Sequence, residues 1–292
     1  MKSGWQSAVV AMGVSMSMLL TCPAAAQKQP YVPPEYEREG GPYVPTPNVV
    51  VDRMLGMANV GANDHVIDLG SGDGIIVITA AYRLKSSGYG VDIDEELVRQ
   101  SNQRAKSLGI NERVLFEAKD IFKADVSKAT VVTLYLLPEF MQRLRSKLYT
   151  ELKPGTRIVS HDYHFEEWMH DDEVTFDVPE KEFISGVPSA TLYLWIVPAK
   201  IGGAWRLQVD GNGEYDLALQ QRYQRLMGSA EGRGGKVSLL EPKLSGAEVS
   251  FLLPLGVHQR RFTGRVSGDR IEGTADFGGG KIVRWHATRS KS

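Results

Sequence analysis

The sequence predicts an α/β protein, a doubly wound sheet of seven strands, followed by a small all-β domain that is either a barrel or a sandwich. Three observations predict it. The run Val66-Ile67-Asp68-Leu69 is short and apolar and leads into glycines, as a buried parallel strand feeding a loop does. Strand-like apolar runs then alternate with helical periods as far as about residue 200. Beyond Gly202-Gly203 no long helical period survives, apart from an ambiguous stretch from Leu217 to Met227, and turn sequences such as Asp210-Gly211-Asn212-Gly213 recur at short spacing.

The first strand is followed by Gly70-Ser71-Gly72-Asp73-Gly74, and Ile75 to Tyr82 continues as a helix. A strand–loop–helix unit of this kind binds ligands at the carboxyl end of its strand. The loop is not the dinucleotide pattern G-x-G-x-x-G, because the third glycine falls at Gly74 and position 75 is Ile. It also lacks the Gly-Lys-Ser/Thr of a phosphate cradle. Asp68 and Asp73 repel a pyrophosphate and attract a cation. The sulfonium and ammonium groups of S-adenosylmethionine meet that requirement. D-x-G-x-G-x-G after a strand resembles the signature of class I methyltransferases, whose donor this is, within a Rossmann-like sheet.

The elements on either side fall in register with a nucleoside site. Thr46 and Pro47 mark a helix start, with Thr46 as cap and Val50, Met54 and Met57 along one face. Two readings of Tyr43 and Thr46 stand: capping and packing, or a segment folded over the donor's methionine end. Gly88 to Asp92 reads as the second strand, with Ile93 after it. Asp92 is placed to accept both ribose hydroxyls, or else is a surface acid at a strand end. Asp94 caps a helix to about Leu108, with Leu97, Val98, Ala105 and Leu108 inward and Glu95 toward Arg99. After a third strand at Val114 to Glu117, Asp120 either accepts from an adenine amino group, with Ile121 or Phe122 packing the ring, or caps the next turn. Thr130 to Leu137 is a fourth strand stopped by Pro138, and Thr156 to Ser160 a fifth. Val174 to Val178 and Thr191 to Val197 supply a closing antiparallel pair.

Candidate groups for the transfer itself are Tyr135 at the end of the fourth strand, Glu139 after it and His161 after the fifth. Each has a plainer role as well: packing for Tyr135, a favourable helix start for Glu139, a structural histidine for His161. His161, His164 and His170 with Asp171 match no metal-site spacing, so no metal is expected.

Composition bounds the rest. The 292 residues carry a formal charge of −1, which gives nucleic acid no global attraction. The single cysteine, Cys22, removes disulfides and the three-cysteine cluster of radical enzymes. Lys2, the apolar run Ala8 to Leu20 and Ala24-Ala25-Ala26 form an export signal over residues 1–26, too short in its apolar part for an ordinary spanning helix. A periplasmic location follows, or an inner-membrane anchor if the segment is retained. Residues 27–45 read as an extended arm, 46–200 as the catalytic domain and 203–292 as the all-β domain.

Pro42-Tyr43-Val44-Pro45-Thr46-Pro47 ahead of the glycine loop, then Gly-Val-Asp-Ile-Asp, Leu-Tyr-Leu-Leu-Pro and Leu-Lys-Pro-Gly-Thr-Arg-Ile-Val-Ser-His-Asp, resemble bacterial relatives of the mitochondrial lysine methyltransferases of the ATP synthase c-subunit and the adenine nucleotide translocase. The resemblance covers about Pro42 to Asp162. It implies S-adenosylmethionine bound by residues 68–74, Asp92 and the Asp120 region, and a protein lysine as acceptor. Leu134 to Pro138 lacks the Asn/Asp-Pro-Pro-aromatic motif of enzymes that methylate bases or glutamine. A small-molecule O- or N-methyltransferase and a catalytically inactive exported binding protein are the competing readings.

Overall fold

The structure, a computed structural model, describes residue 41 and residues 43–290. The expected export signal or anchor and nearly all of the arm lie outside the described residues. Among the described residues no helix is long and apolar enough to cross a membrane.

Five parallel strands, β1 (His65–Leu69), β2 (Ser87–Asp92), β3 (Val114–Ala118), β4 (Val131–Leu134) and β5 (Arg157–His161), lie in the order β3-β2-β1-β4-β5. An antiparallel pair, β6 (Asp172–Asp177) and β7 (Ser189–Ile196), completes a seven-stranded sheet, with β7 against β5 and β6 at the edge. The chain winds one way from β1 to β3 and the other way from β4 onward, so a cleft opens where the carboxyl ends of β1 and β4 diverge. Period-two alternation sorts the strands onto two cores. Val66, Val131 and Val159 face α1 (Asn48–Met57) and α2 (Ile75–Leu84). Ile67, Val132 and Ile158 face α4 (Pro138–Glu151), whose Met141, Leu144 and Leu148 are fully buried. Each such side chain contributes about 1.5–3 kcal/mol of burial.

Four local expectations need correction. Thr46 makes no cap; Pro47, with extended backbone, occupies the N-cap position of α1. In α3 (Glu95–Ser107) the cap is Asp94 as expected, but Arg99 pairs with Glu96 rather than Glu95, because the i,i+3 carboxylate takes a two-pronged contact with the guanidinium. Leu108 is exposed, since it follows the last helical residue, and Ser101 and Ala105 take the inward positions. The fourth strand ends at Leu134, not Leu137; Tyr135 to Leu137 leave the sheet and deliver Pro138 to the first turn of α4.

From Gly203 the chain is an antiparallel meander: β8 (Gly203–Val209), β9 (Gly213–Arg222), β10 (Arg225–Gly232), β11 (Gly235–Ser238), β12 (Leu240–Ser245), β13 (Glu248–Leu255), β14 (His258–Ser267), β15 (Arg270–Asp276) and β16 (Ile282–Arg289). The ambiguous stretch from Leu217 to Met227 is the β9–β10 hairpin, with Leu217, Leu219 and Leu226 inward. β16 returns to pair with β8. β11 and β12 are separated only by Leu239, whose amide bonds Gly228 O at 2.9 Å, so the chain passes from the β10 edge to the β13 edge and nearly closes a barrel. Side chains fill its interior, including Trp205, Phe251, Phe262 and Trp285. Phe251 and Phe262 stack at 5.2 Å, leaving a packed core rather than a ligand cup.

The barrel is seated on the end of the α/β sheet opposite the cleft. Gly246 lies against Gly155, where an added Cβ would stand 3.0 Å from the Gly155 Cα, and its carbonyl accepts from Ala199 N at 2.7 Å. Tyr223, at the β9–β10 turn, stacks on Trp168 at 5.3 Å and meets Tyr149 edge-on at 5.0 Å. Gln224 donates to Met169 O at 2.5 Å. Tyr223→Ala is therefore expected to lower stability by about 2 kcal/mol, since each aromatic pair contributes about 0.5–1.5 kcal/mol beyond its buried area. Calorimetry is expected to show one transition for the wild type and two for the variant as the lobes uncouple.

Candidate functional site

The glycine loop is folded by backbone bonds that leave its upper face open. Gly70 N and Ser71 N both donate to Val91 O, at 2.8 and 2.9 Å, and Gly74 N closes the turn on Ser71 O at 2.8 Å. Gly72 has φ +51, and an added Cβ would stand 2.6 Å from the Tyr43 ring, so both its backbone and its neighbour require glycine. Tyr43 thus folds over the loop; burial and the Asp73 carboxylate push its ionisation upward. Asp73 also accepts from Ile75 N at 3.1 Å and lies 3.7 Å from Arg104.

Asp92, at the carboxyl end of β2, is held at both oxygens. Oδ2 accepts from Gly72 N at 2.7 Å and Oδ1 from Asp94 N at 2.9 Å. Each oxygen keeps a further lone pair, which suits a vicinal diol. The cleft beside it is lined by Gly70, Ile93, Lys119, Asp120, Ile121, Phe122, Leu136 and Phe140. Apolar walls at Ile93, Ile121 and Phe122 next to a two-oxygen acceptor fit the adenosine half of a nucleoside cofactor. Asp120 does cap the turn at 121–123, accepting from Phe122 N at 2.9 Å through Oδ1, while Oδ2 lies 3.9 Å from Lys123 Nζ.

Two loop residues expected at the ligand are buried. Asp68 is 2 % exposed between β1 and β4 and accepts from Thr133 Oγ1 at 2.7 Å. Its burial raises its pKa to about 7, with Thr133 opposing and Asp92 and Asp73 adding to the rise. It is not among the residues that line the cleft. Ser71 is also buried, and its hydroxyl has no partner. Thr46 makes no cap bond and Ile93 is half exposed at the cleft.

The three candidate transfer groups gather at the ends of β4 and β5. The Tyr135 ring lies 4.0 Å from the His161 ring. His161 is fully buried and neither ring nitrogen has a hydrogen-bond partner; Nε2 is 3.5 Å from Asp162 Oδ2. Burial lowers the His161 pKa to about 4, Asp162 opposing and Lys181 assisting. Burial, with Asp162 and Tyr163 adding, pushes the Tyr135 phenol upward. Neither group is poised to take a proton from an ammonium. Glu139 stands exposed on the first turn of α4, next to Phe140 of the cleft wall. His164 bonds Phe165 O and His170 lies 2.9 Å from Glu173. Among the described residues no group of three or more potential ligands could hold a metal.

Sequence reasoning missed Lys181. It is 2 % exposed, ion-paired with Asp162 Oδ2, and it donates to Ser189 O at 2.6 Å. Asp162 has φ +63 and also accepts from Thr191 N at 3.1 Å. A lysine between two glutamates reads as surface, and no local signal marks it as buried. A larger groove, about 770 Å³, opens at the barrel seam between β10 and β12 and is remote from this chemistry.

The family description "ANTKMT methyltransferase domain" matches residues 68–172. A protein-lysine N-methyltransferase of Saccharolobus islandicus (strain REY15A) is 39% identical over 158 residues, spanning 53% of this chain and 93% of its own. An ATP synthase C-subunit lysine N-methyltransferase of Xenopus laevis is 33% identical over 164 residues, 56% of this chain and 70% of its own. A solved structure described as an RNA methyltransferase of Salinibacter ruber with S-adenosyl-L-homocysteine is similar at 46% identity and a TM-score of 0.49, covering 54% of this chain and 96% of that one.

Buried Asp68 and His161 give opposite pH dependences. The folded state holds the Asp68 proton up to about pH 7 whereas the unfolded chain releases it near 3.8, so stability from this group falls as pH rises through that window. Unfolded His161 takes a proton below its ordinary value of 6.5, which the fold refuses down to about 4, so its contribution is lost as pH falls. Asp68→Asn removes only the first. Its melting temperature relative to wild type should rise by several degrees between about pH 5 and about pH 8, read by differential scanning fluorimetry. A constant difference would contradict the burial of an ionisable Asp68.

Proposed function

This chain belongs to the ANTKMT family of class I, S-adenosylmethionine-dependent methyltransferases, and we propose that its acceptor is the ε-amino group of a protein lysine. The observation that carries the reading is the 39% identity to a protein-lysine N-methyltransferase across 93% of that enzyme's length. In this reading Asp92 holds the ribose hydroxyls and Ile93, Ile121 and Phe122 pack the adenine. Asp120 accepts from the adenine amino group with the lone pairs its capping bond leaves free. Gly70, Gly72 and Gly74, with Tyr43 above them, border the methionine end, and Asp73 supplies negative field for its cation, joined by Asp68 once pH exceeds about 7. When bound, the cofactor supplies an electrophilic methyl group on a sulfonium.

What this chain must then do is hold a neutral amine in line and dry. His161, with its pKa lowered to about 4, and Tyr135, held protonated, do not serve as bases. Tyr135, half-buried, is the wall that orients the acceptor, with the buried His161 ring packed behind it, and the ammonium proton leaves to solvent at the mouth, where Glu139 is an exposed carboxylate. Tyr43 and residues 46–200 carry this chemistry; the barrel, on the far side of the sheet, contributes no group to it. Export of the mature chain by cleavage after Ala26 is part of the same proposal, on the residues named above. N-terminal sequencing of the protein from its native cells tests it.

Asp92→Ala is expected to weaken S-adenosylmethionine binding about a hundredfold or more, because two hydrogen bonds to a charged group are lost. Isothermal calorimetry reads the affinity, and tritiated-methyl transfer into lysine, identified after hydrolysis, reads the acceptor. Binding that survives the substitution, or label recovered in small molecules alone, would overturn the assignment.

A further inference from the structure

The segment joining β6 to β7 stands at the mouth of the site and is built unlike the rest of its rim. It runs through a turn at Pro179–Lys181 and the single-turn α5 (Glu182–Ser185) to Pro188. Lys181 anchors it from below: its Nζ is buried on Asp162, which follows His161, whose ring lies against Tyr135. On either side of this buried residue Pro179, Glu180, Glu182, Ser185 and Pro188 are exposed. Phe183 is 90 % exposed and Val187 51 %. Asp177, Glu180 and Glu182 are exposed, and none of them has an ion pair among the described residues. A phenylalanine held in water by a buried anchor two residues away is not a packing residue of this chain, and three unpaired carboxylates around it repel an anionic partner. The imbalance extends beyond the segment. Residues 41–200 carry 23 acidic against 17 basic side chains, whereas residues 203–292 carry 9 against 14.

We propose that this lip, residues 179–188, docks the acceptor polypeptide: Glu180 and Glu182 draw a cationic segment to the mouth, and Phe183 seats an apolar side chain beside the target lysine. The proposal rests on the lysine reading above and adds to it which surface selects the substrate. Charge complementarity names the occupant, since a lysine-bearing segment with further positive charge is attracted where a phosphate backbone is repelled. Lys181 is a positioning residue. It neutralises Asp162 and holds the lip at the level of Tyr135, without touching the acceptor.

The test uses the full chain, saturated with S-adenosylhomocysteine, and two fluorescent peptides: one lysine flanked by Leu and Arg, one flanked by Ser and Glu. Wild type should prefer the first in anisotropy titrations. Phe183→Ser should raise its Kd, and KM in tritiated-methyl transfer, about tenfold while kcat stays within about twofold, because only apolar contact area is lost. The Glu180→Gln, Glu182→Gln pair should raise Kd by a similar factor at low ionic strength and converge with wild type at high salt, where exposed charges are screened. Since Phe183 and both glutamates are exposed, the fold should be unaffected, and the melting temperature checks this. Equal binding by wild type and variants, absence of peptide binding to wild type, or preference for the Ser–Glu peptide would each overturn the lip assignment. Transfer to lysine with lip-independent binding would overturn the lip alone. Lip-dependent binding without any methyl transfer would support the lip and overturn the lysine-transfer reading.

Discussion

The structure of the site depends on one carboxylate. Asp92 takes the Gly72 amide on one oxygen and the Asp94 amide on the other. The first bond holds the glycine loop down on β2, and the second fixes the start of α3, where Asp94 in turn caps Glu96 and Leu97. A buried or half-buried carboxylate is stable only when such donors are present. Here the same donors leave its remaining lone pairs directed into the cleft. The loop, the helix start and the ligand acceptor are therefore a single hydrogen-bonded unit, and no member can be changed without moving the other two.

Around that unit the protein is two-ended. Every parallel strand points its carboxyl end at the cleft, and the barrel is bolted to the opposite end through Tyr223, Gln224 and Gly246. The contact is aromatic and hydrogen-bonded. The barrel's interior is full, and its charge is opposite in sign to that of the catalytic lobe. Burial, meanwhile, decides the proton chemistry at the cleft. A raised phenol, backed by a buried histidine without hydrogen-bond partners, makes a poorly basic wall, which suits a displacement whose demands are alignment and dryness rather than acid–base exchange.

Much of this was legible in the amino-acid sequence because it is local. Alternating apolar runs, a strand ending in Asp92, an Asp94 cap and three glycines at alternate positions specify the seven strands and the loop through steric and hydrogen-bond rules that span only a few residues. The class of cofactor follows from the same residues. The β-rich tail was recognisable by its turns, although the β9–β10 hairpin stayed ambiguous because Leu217 to Met227 satisfies both periods.

What only the tertiary structure decided are the properties that come from residues far apart in the chain. Asp68 reads as a ligand-facing acid until β4 brings Thr133 and a dry environment to it. Lys181 reads as a surface lysine until Asp162, nineteen positions earlier, draws it inward. The placement of the barrel on the end of the sheet away from the cleft has no local signature either, because it depends on Trp168, Tyr149 and Tyr223 meeting across more than fifty residues. Backbone geometry and capping are set by neighbours in sequence. Desolvation and charge pairing are set by neighbours in space, and these determine what the site's ionisable groups can do.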